Sequence, residues 1–281
     1  MSRYENGPLK VAILDMYEGA ENQGMRCLRE ILNQFAELHG RELVRDEFNV
    51  RQHNELPDLS YDIYLCSGGP GSPLDSVGSI WENSFFDWIK FVEKYNSAEN
   101  NLIKKPVFFI CHSFQLACRY FDVAEVSKRK STAFGVFPIH FLADASSDVI
   151  FKGLTAPFYA VDSRDYQVTK PNHNAIKKIG GKILAIEKNR PHVPLERAIM
   201  SIRFNDYMVG TQFHPEADAV GMSMYLQRPE RKQIVVENHG EEKWESMINH
   251  LGDPDKILHT YSHILPNFLN AAISRLELAS I

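Results

Sequence analysis

The sequence predicts an α/β fold: a three-layer sandwich built on a mostly parallel central sheet, with added antiparallel strands and a helical C-terminal elaboration. Three observations predict it. Fully apolar runs of strand length alternate with amphipathic helical segments over residues 9–120, the pattern of a parallel sheet covered on both faces. From about 124 to 214 the apolar segments become shorter and more alternating. Beyond His214 the helical period returns.

The elements follow in order. Leu9–Tyr17 (LKVAILDMY) is an apolar run of strand length. A helix comes next, because Met25, Leu28, Ile31, Leu32 and Phe35 recur at three and four residues, and Gly40 can close it. Within Asn22-Gln23-Gly24-Met25-Arg26, Asn22 reads as the helix cap, and Arg26 as a helix residue or one facing a partner. Asp62–Cys66 is a second strand, ending in the glycine-rich Ser67-Gly68-Gly69-Pro70-Gly71-Ser72-Pro73. Trp81, Phe85, Trp88, Ile89 and Val92 mark another helix. Pro106–Cys111 is a third apolar strand, and Phe114–Tyr120 a helix.

The middle region offers Phe134–Leu142, Phe158–Asp162, Lys182–Ile186, Arg197–Arg203 and Tyr207–Phe213 as antiparallel strands, with Asn205-Asp206 as a hairpin turn. Trp244, Met247, Ile248 and Leu251 then define a short helix. Asp253-Pro254 reads as a cap and first-turn proline, opening one helix through Ile257, Tyr261, Leu265, Phe268, Leu269 and Ile273. At roughly 100–200 residues per domain, 281 residues fit one large domain or two small ones. With no internal repeat and no Gly/Ser linker, one domain is expected, its core about 9–217 and its helical extension about 218–281.

Composition narrows the function. With 44% hydrophobic and 24% charged residues the chain is globular, not disordered. A net charge of −5 gives no bulk attraction to nucleic acid or anionic lipid. No apolar run approaches the ~18 residues of a membrane span, and the N-terminal MSRYENGPLK has no signal core. Cys27, Cys66, Cys111 and Cys118 form no CxxC pair and no zinc-finger set, so a reducing compartment, the cytoplasm, is expected. His192, His239, His259 and His263 show no metal-ligand pattern, and the Arg228–Lys232 cluster reads as a solvated face.

Ligands of a parallel sheet sit beyond the carboxyl ends of its strands, and three unusual segments fall there. Cys111 stands between a buried strand and a helix. Such a turn projects its side chain outward and aims the N–H of His112 at the same spot, and the helix N-terminus favours thiolate. The plainer reading is a buried core cysteine, which is how Cys27, Cys66 and Cys118 are read. In Gly210-Thr211-Gln212-Phe213-His214-Pro215-Glu216, residues two apart share a side. His214 is therefore placed to activate a thiol while Glu216 fixes its tautomer. The N–H groups of Ser67–Pro73 suit an oxyanion or a phosphate, but no GxxxxGK[ST] supports a nucleotide loop.

Together these segments resemble the class I (triad-type) glutamine amidotransferase family, closest in character to the glutaminase domain of GMP synthase. Gly-x-Gln-Phe-His-Pro-Glu is complete at 210–216 and Ser-Gly-Gly-Pro-x-Ser at 67–72, while Cys-x-Gly-x-Gln stands as Cys111-His112-Ser113-Phe114-Gln115. Asp162-Ser163-Arg164-Asp165-Tyr166-Gln167-Val168 is similar to the family's Ser-His-x-x-x-Val substrate segment. The resemblance implies a flavodoxin-like sandwich, with Cys111 as nucleophile, His214 as general base and acid, and Glu216 as orienting carboxylate. It implies an oxyanion hole from the N–H groups of Gly69 and His112, with Gln115 and Ser163 helping to hold substrate. The implied reaction hydrolyses the glutamine amide through a γ-glutamyl thioester, with no metal or organic cofactor. The ammonia would go to a separate synthetase partner.

Two positions depart from the pattern. Ser113 replaces a glycine, and Arg164 stands where the family often has His. Arg164 is either a salt-bridged surface residue or a contact for a substrate carboxylate. The same fold also serves γ-glutamyl hydrolases, acyltransferases and silent binding modules. A silent module predicts a missing triad member.

Overall fold

The computed structural model describes residues 7–192, 194–251, 253 and 256–279. The N-terminal reading of residues 1–6 and the first-turn role of Pro254 lie outside the described residues, as do the side chains of Glu230, Arg231 and His239. The first part of the chain runs β1 (Leu9–Asp15), α1 (Gly24–Leu38), β2 (Leu43–Asn49), a single turn α2 (Val50–His53), β3 (Ile63–Cys66), α3 (Ile80–Ser97), β4 (Val107–Ile110) and α4 (His112–Tyr120). The middle comprises β5 (Ala124–Phe141), β6 (Phe158–Pro171), α5 (His173–Lys178), β7 (Lys182–Glu187), β8 (Ile199–Asn205) and β9 (Met208–Thr211). Five helices follow among the described residues: α6 (Ala219–Leu226), α7 (Pro229–His239), α8 (Glu241–Leu251), α9 (Ile257–Tyr261) and α10 (Ile264–Leu278).

One sheet has the order β2-β1-β3-β4-β9-β8-β7-β5-β6. Its first five strands are mutually parallel, and the pairs from β9 to β6 are antiparallel. The central strands are buried on both faces, which is why they read as continuous apolar runs. Their side chains divide with period two. Leu9, Val11, Ile13, Ile63, Leu65, Phe108 and Ile110 join α1 and α10 in one core layer. Ala12, Leu14, Tyr64, Cys66, Val107 and Phe109 join α3 and α4 in the other. Each large apolar side chain fully buried this way contributes about 1.5–3 kcal/mol. α10 lies deep in the first layer, where the Phe268 ring meets Phe108 edge-on at 5.2 Å.

Besides the helices α2, α5, α6 and α7, which the sequence reading does not mark, the structure differs from it in three places. β2 pairs with β1 as an edge strand, and its largely polar, half-buried and exposed residues hide it from an apolar-run criterion. β5 and β6 are longer than their apolar segments, because the polar Lys128–Thr132 stretch, exposed except at Arg129, falls within β5 at a register shift. The final helix is two helices, α9 and α10, separated at Ser262–His263. Asn22 does cap α1, accepting from the Met25 N–H at 2.8 Å.

Helices α6, α7 and α8 build a small core of their own, with Met222, Leu226, Val235, Met247 and Leu251 packed with Val161, Phe134 and Val136 of the β5–β6 ribbon. The segment is tied to α1 by Arg26, whose guanidinium donates to both Asp218 oxygens at 2.7 and 2.8 Å. Arg26 is thus spent on an internal ion pair. No helix among the described residues is long and apolar enough to cross a membrane.

Candidate active site

Cys111 sits at the carboxyl end of β4 and precedes α4, with φ 49° and ψ −97°. A side chain other than glycine's is strained in this region, and the surrounding bonds hold it there. The Cys111 N–H donates to the Thr211 carbonyl at 2.7 Å, and its own carbonyl accepts from Gln115 N–H at 3.0 Å. As the first helical residue, His112 has no carbonyl one turn earlier to take its N–H.

Ser113 fits the turn and stabilises it. Its hydroxyl accepts from the Ile110 N–H at 2.8 Å and donates to the Cys66 carbonyl at 2.9 Å. It thereby joins the end of the nucleophile strand to the strand that leads into the glycine-rich turn. Ser113→Ala is expected to cost about 1–3 kcal/mol, the penalty for leaving a buried N–H without its partner, as read from the midpoint of urea unfolding.

His214 is fixed by an antiparallel bridge to β6, its N–H donating to the Val161 carbonyl at 2.8 Å. Its Nδ1 lies 2.8 Å from Glu216 Oε1. Burial opposes the imidazolium. The charges of Glu216 and of the Cys111 sulfur, with hydrogen bonding to both, outweigh it and carry His214 well above the ordinary imidazole range. Glu216 is 1% exposed, and its Oε2 has no hydrogen-bond partner among the described residues.

The glycine-rich turn is shaped by what surrounds it. A Cβ at Gly69 would lie 2.3 Å from the Met16 carbonyl oxygen, and one at Gly68 would lie 2.8 Å from His214 Cε1. The His112 imidazole is buried. Desolvation, and then the charges of Arg51 and Arg119, push its pKa down to about 3, so it stays neutral.

The predicted residues Gly69, Cys111, His112, Gln115, Ser163, Arg164, His214 and Glu216 all line one cavity of about 1090 Å3. Ser163 presents its carbonyl oxygen 3.9 Å from Cys111 Sγ. Gln115 spends its amide on Gln212, donating to Oε1 at 3.0 Å. Arg164 is buried, with Nε 2.9 Å from both Asp162 oxygens. The salt-bridged reading of Arg164 holds, but in the interior of the protein and not on its surface.

Two site residues were missed by sequence reasoning. Gln212 donates from Nε2 to Cys111 Sγ at 3.6 Å, and the same alternation that pairs 214 with 216 would have placed it. Tyr17 lines the cavity just past β1, its hydroxyl packed against Gly24 and Gly68. Burial, followed by the charges of Glu216 and Cys111, holds its phenol protonated. Only its position at a strand's carboxyl end signals it. Cys27 also lines the cavity, but burial and the nearby Asp218 push its thiol up to about 12. No group of side chains suited to a metal ion occurs among the described residues.

A family model described as Glutamine amidotransferase class-I matches residues 13–227. No curated protein matches the chain. Among solved structures, a glutamine amidotransferase from Thermotoga maritima superposes with a TM-score of 0.65 at 14% identity, covering 94% of this chain and 98% of its own. A protein from Thermoplasma acidophilum, provisionally assigned as one component of a GMP synthase, reaches 0.58 at 16% identity, covering 97% and 98%. The glutaminase domain of Trypanosoma brucei CTP synthase, with acivicin bound, reaches 0.57 at 13% identity, covering 95% and 94%. At these identities the three likenesses speak for the fold.

Proposed function

Because the chain belongs to the class I glutamine amidotransferase family, we propose that it hydrolyses the side-chain amide of glutamine with Cys111, His214 and Glu216 as its catalytic groups. The reading rests chiefly on one observation: a cysteine on a strained strand-to-helix turn and a carboxylate-bound histidine from another strand end share one cavity. The Cys111 thiolate attacks the amide carbon, and the oxygen takes the displaced electron pair, facing the N–H groups of Gly69 and His112. The C–N bond breaks as the His214 imidazolium gives its proton to the leaving nitrogen, and ammonia departs. Water then gives a proton to His214 and attacks the γ-glutamyl thioester, releasing glutamate and restoring the thiolate.

Glu216 holds the Nδ1 side of the ring throughout. Gln115 acts through Gln212, which touches the sulfur, and Ser163 offers its carbonyl to the substrate. Arg164 organises the cavity wall through Asp162. A silent module is disfavoured, since none of the three catalytic groups is missing. The likeness to a CTP synthase glutaminase domain and to a GMP synthase component supports a separate synthetase as the user of the ammonia. Four free cysteines suit a reducing compartment such as the cytoplasm. We read residues 218–281 as an extension of the same domain, since α10 is built into its core.

The test is alkylation by an electrophilic glutamine analogue followed by peptide mapping. A single adduct on Cys111 is expected. Labelling of Cys27, Cys66 or Cys118 in its place, or no labelling of the folded protein, would overturn the assignment.

A further inference from the structure

The cavity around Cys111 holds about 1090 Å3, at the top of the roughly 300–1,000 Å3 range of pockets that take drug-sized molecules. Free glutamine fills a small part of it. The γ-glutamyl portion is short and belongs beside Cys111 and the glycine-rich turn, so the remaining space lies beyond the amide nitrogen. Its apolar lining comes from Phe134 and Phe137 of β5 and from Met222, Val235 and Met247 of α6, α7 and α8.

Of the guanidinium groups that line the same cavity, three cluster on Glu187. Glu187 receives Arg190 at 2.7 Å, Arg129 at 3.1 Å and Arg164 at 3.5 Å, and Arg164 also holds Asp162. Within this cluster three positive charges face two negative ones. The Arg129 and Arg164 side chains are 8% and 1% exposed, and Arg190 Nε is buried with no hydrogen-bond partner among the described residues. The Arg190 side chain is 27% exposed, and a partly buried excess of positive charge is costly unless an anion completes it. The cluster is near the chemistry: Arg164 follows Ser163, whose carbonyl oxygen lies 3.9 Å from Cys111 Sγ.

Resting on the reading of Cys111 as the γ-glutamyl acceptor, we propose that this site also hydrolyses γ-glutamyl amides whose amine portion is bulky and carries a carboxylate. The apolar part of the amine seats among Phe134, Met222 and Met247, and its carboxylate completes Arg129 and Arg190. The bonds that form and break are those of glutamine hydrolysis. The thiolate adds to the γ-carbonyl carbon, the C–N bond breaks, and the amine leaves with the proton from His214. Water cleaves the thioester to glutamate.

The experiment uses the full chain with no partner added. It compares kcat/KM for glutamine, γ-glutamylanilide and γ-glutamyl-para-aminobenzoate, the last two differing only in the carboxylate. The carboxylated amide is expected to exceed both others, and the anilide by roughly tenfold or more, as a charge-assisted contact implies. In Arg190→Gln the ratio of the two arylamides is expected to fall toward unity, through KM. Equal values for the pair, an unchanged ratio in Arg190→Gln, or turnover of glutamine alone overturns the proposal. Labelling by the electrophilic analogue separates the two levels. A labelled Cys111 without arylamide turnover defeats this proposal and spares the glutaminase reading, whereas an unlabelled Cys111 in folded protein defeats both.

Discussion

Cys111→Ala is expected to lower glutamine hydrolysis by about 10^4-fold or more while the protein stays folded. The size follows from losing the covalent route altogether. Knocking out the nucleophile of a triad leaves only the residual catalysis of the oxyanion site and substrate binding. The fold should tolerate the change because the sulfur's hydrogen bonds to Ser163 and Gln212 are long, 3.9 Å to the Ser163 carbonyl oxygen and 3.6 Å to Gln212 Nε2. Alanine keeps the Cβ, so the strain at φ 49° is unaltered. Ammonia release and thermal unfolding measured on the same preparation check it. Native-like turnover in a folded alanine variant would move the chemistry to another residue.

Glu216→Gln is expected to lower kcat by about 10^2–10^4-fold, as for other triads deprived of their orienting carboxylate, and to draw the alkaline limb of the rate profile toward neutrality. Burial disfavours the His214 imidazolium, and Glu216 provides the largest opposing effect. Removing that charge lowers the pH at which the ring loses the proton it must give to the leaving nitrogen. The sign for stability follows from linkage. The folded pKa of His214 lies above its unfolded value near 6.5. Its stabilising contribution is therefore complete below about pH 6.5 and fades as pH rises through the folded value. The difference in thermal stability between wild type and Glu216→Gln should accordingly be wider near pH 6 than near pH 9. A rate profile with an unmoved alkaline limb would remove Glu216 from the control of His214.

How much of this could be read from the residues depended on how each segment declares itself. β1, β3 and β4 are buried on both faces, so their composition alone marks them. The same is true of the turns at 67–72 and 210–216, where glycine, proline and histidine sit at fixed offsets. β2 stayed hidden because an edge strand can be polar. The ribbon of β5 and β6 was legible at Phe134–Leu142 and Phe158–Asp162, but its remaining length stayed hidden, because exposed residues interrupt β5 and backbone pairing, not apolar burial, defines that part. Arg164 was legible as a charge but not as a buried one: Asp162 sits two residues away on its own strand, but Glu187 meets it from β7 only through the pairing of β7, β5 and β6. Gln212 was within reach of the alternation argument. Tyr17 was not, because what marks it is the pair of glycines that make room for it.

Those glycines carry one more implication. At position 68 the volume that any larger residue would claim is already the berth of the imidazole, 2.8 Å away. The turn is a mould cast around the base, so it cannot gain bulk unless the ring gives way. Loop and base must change in concert or stay as they are, and a redesign of the oxyanion segment that keeps His214 unchanged is confined to residues on either side of this contact.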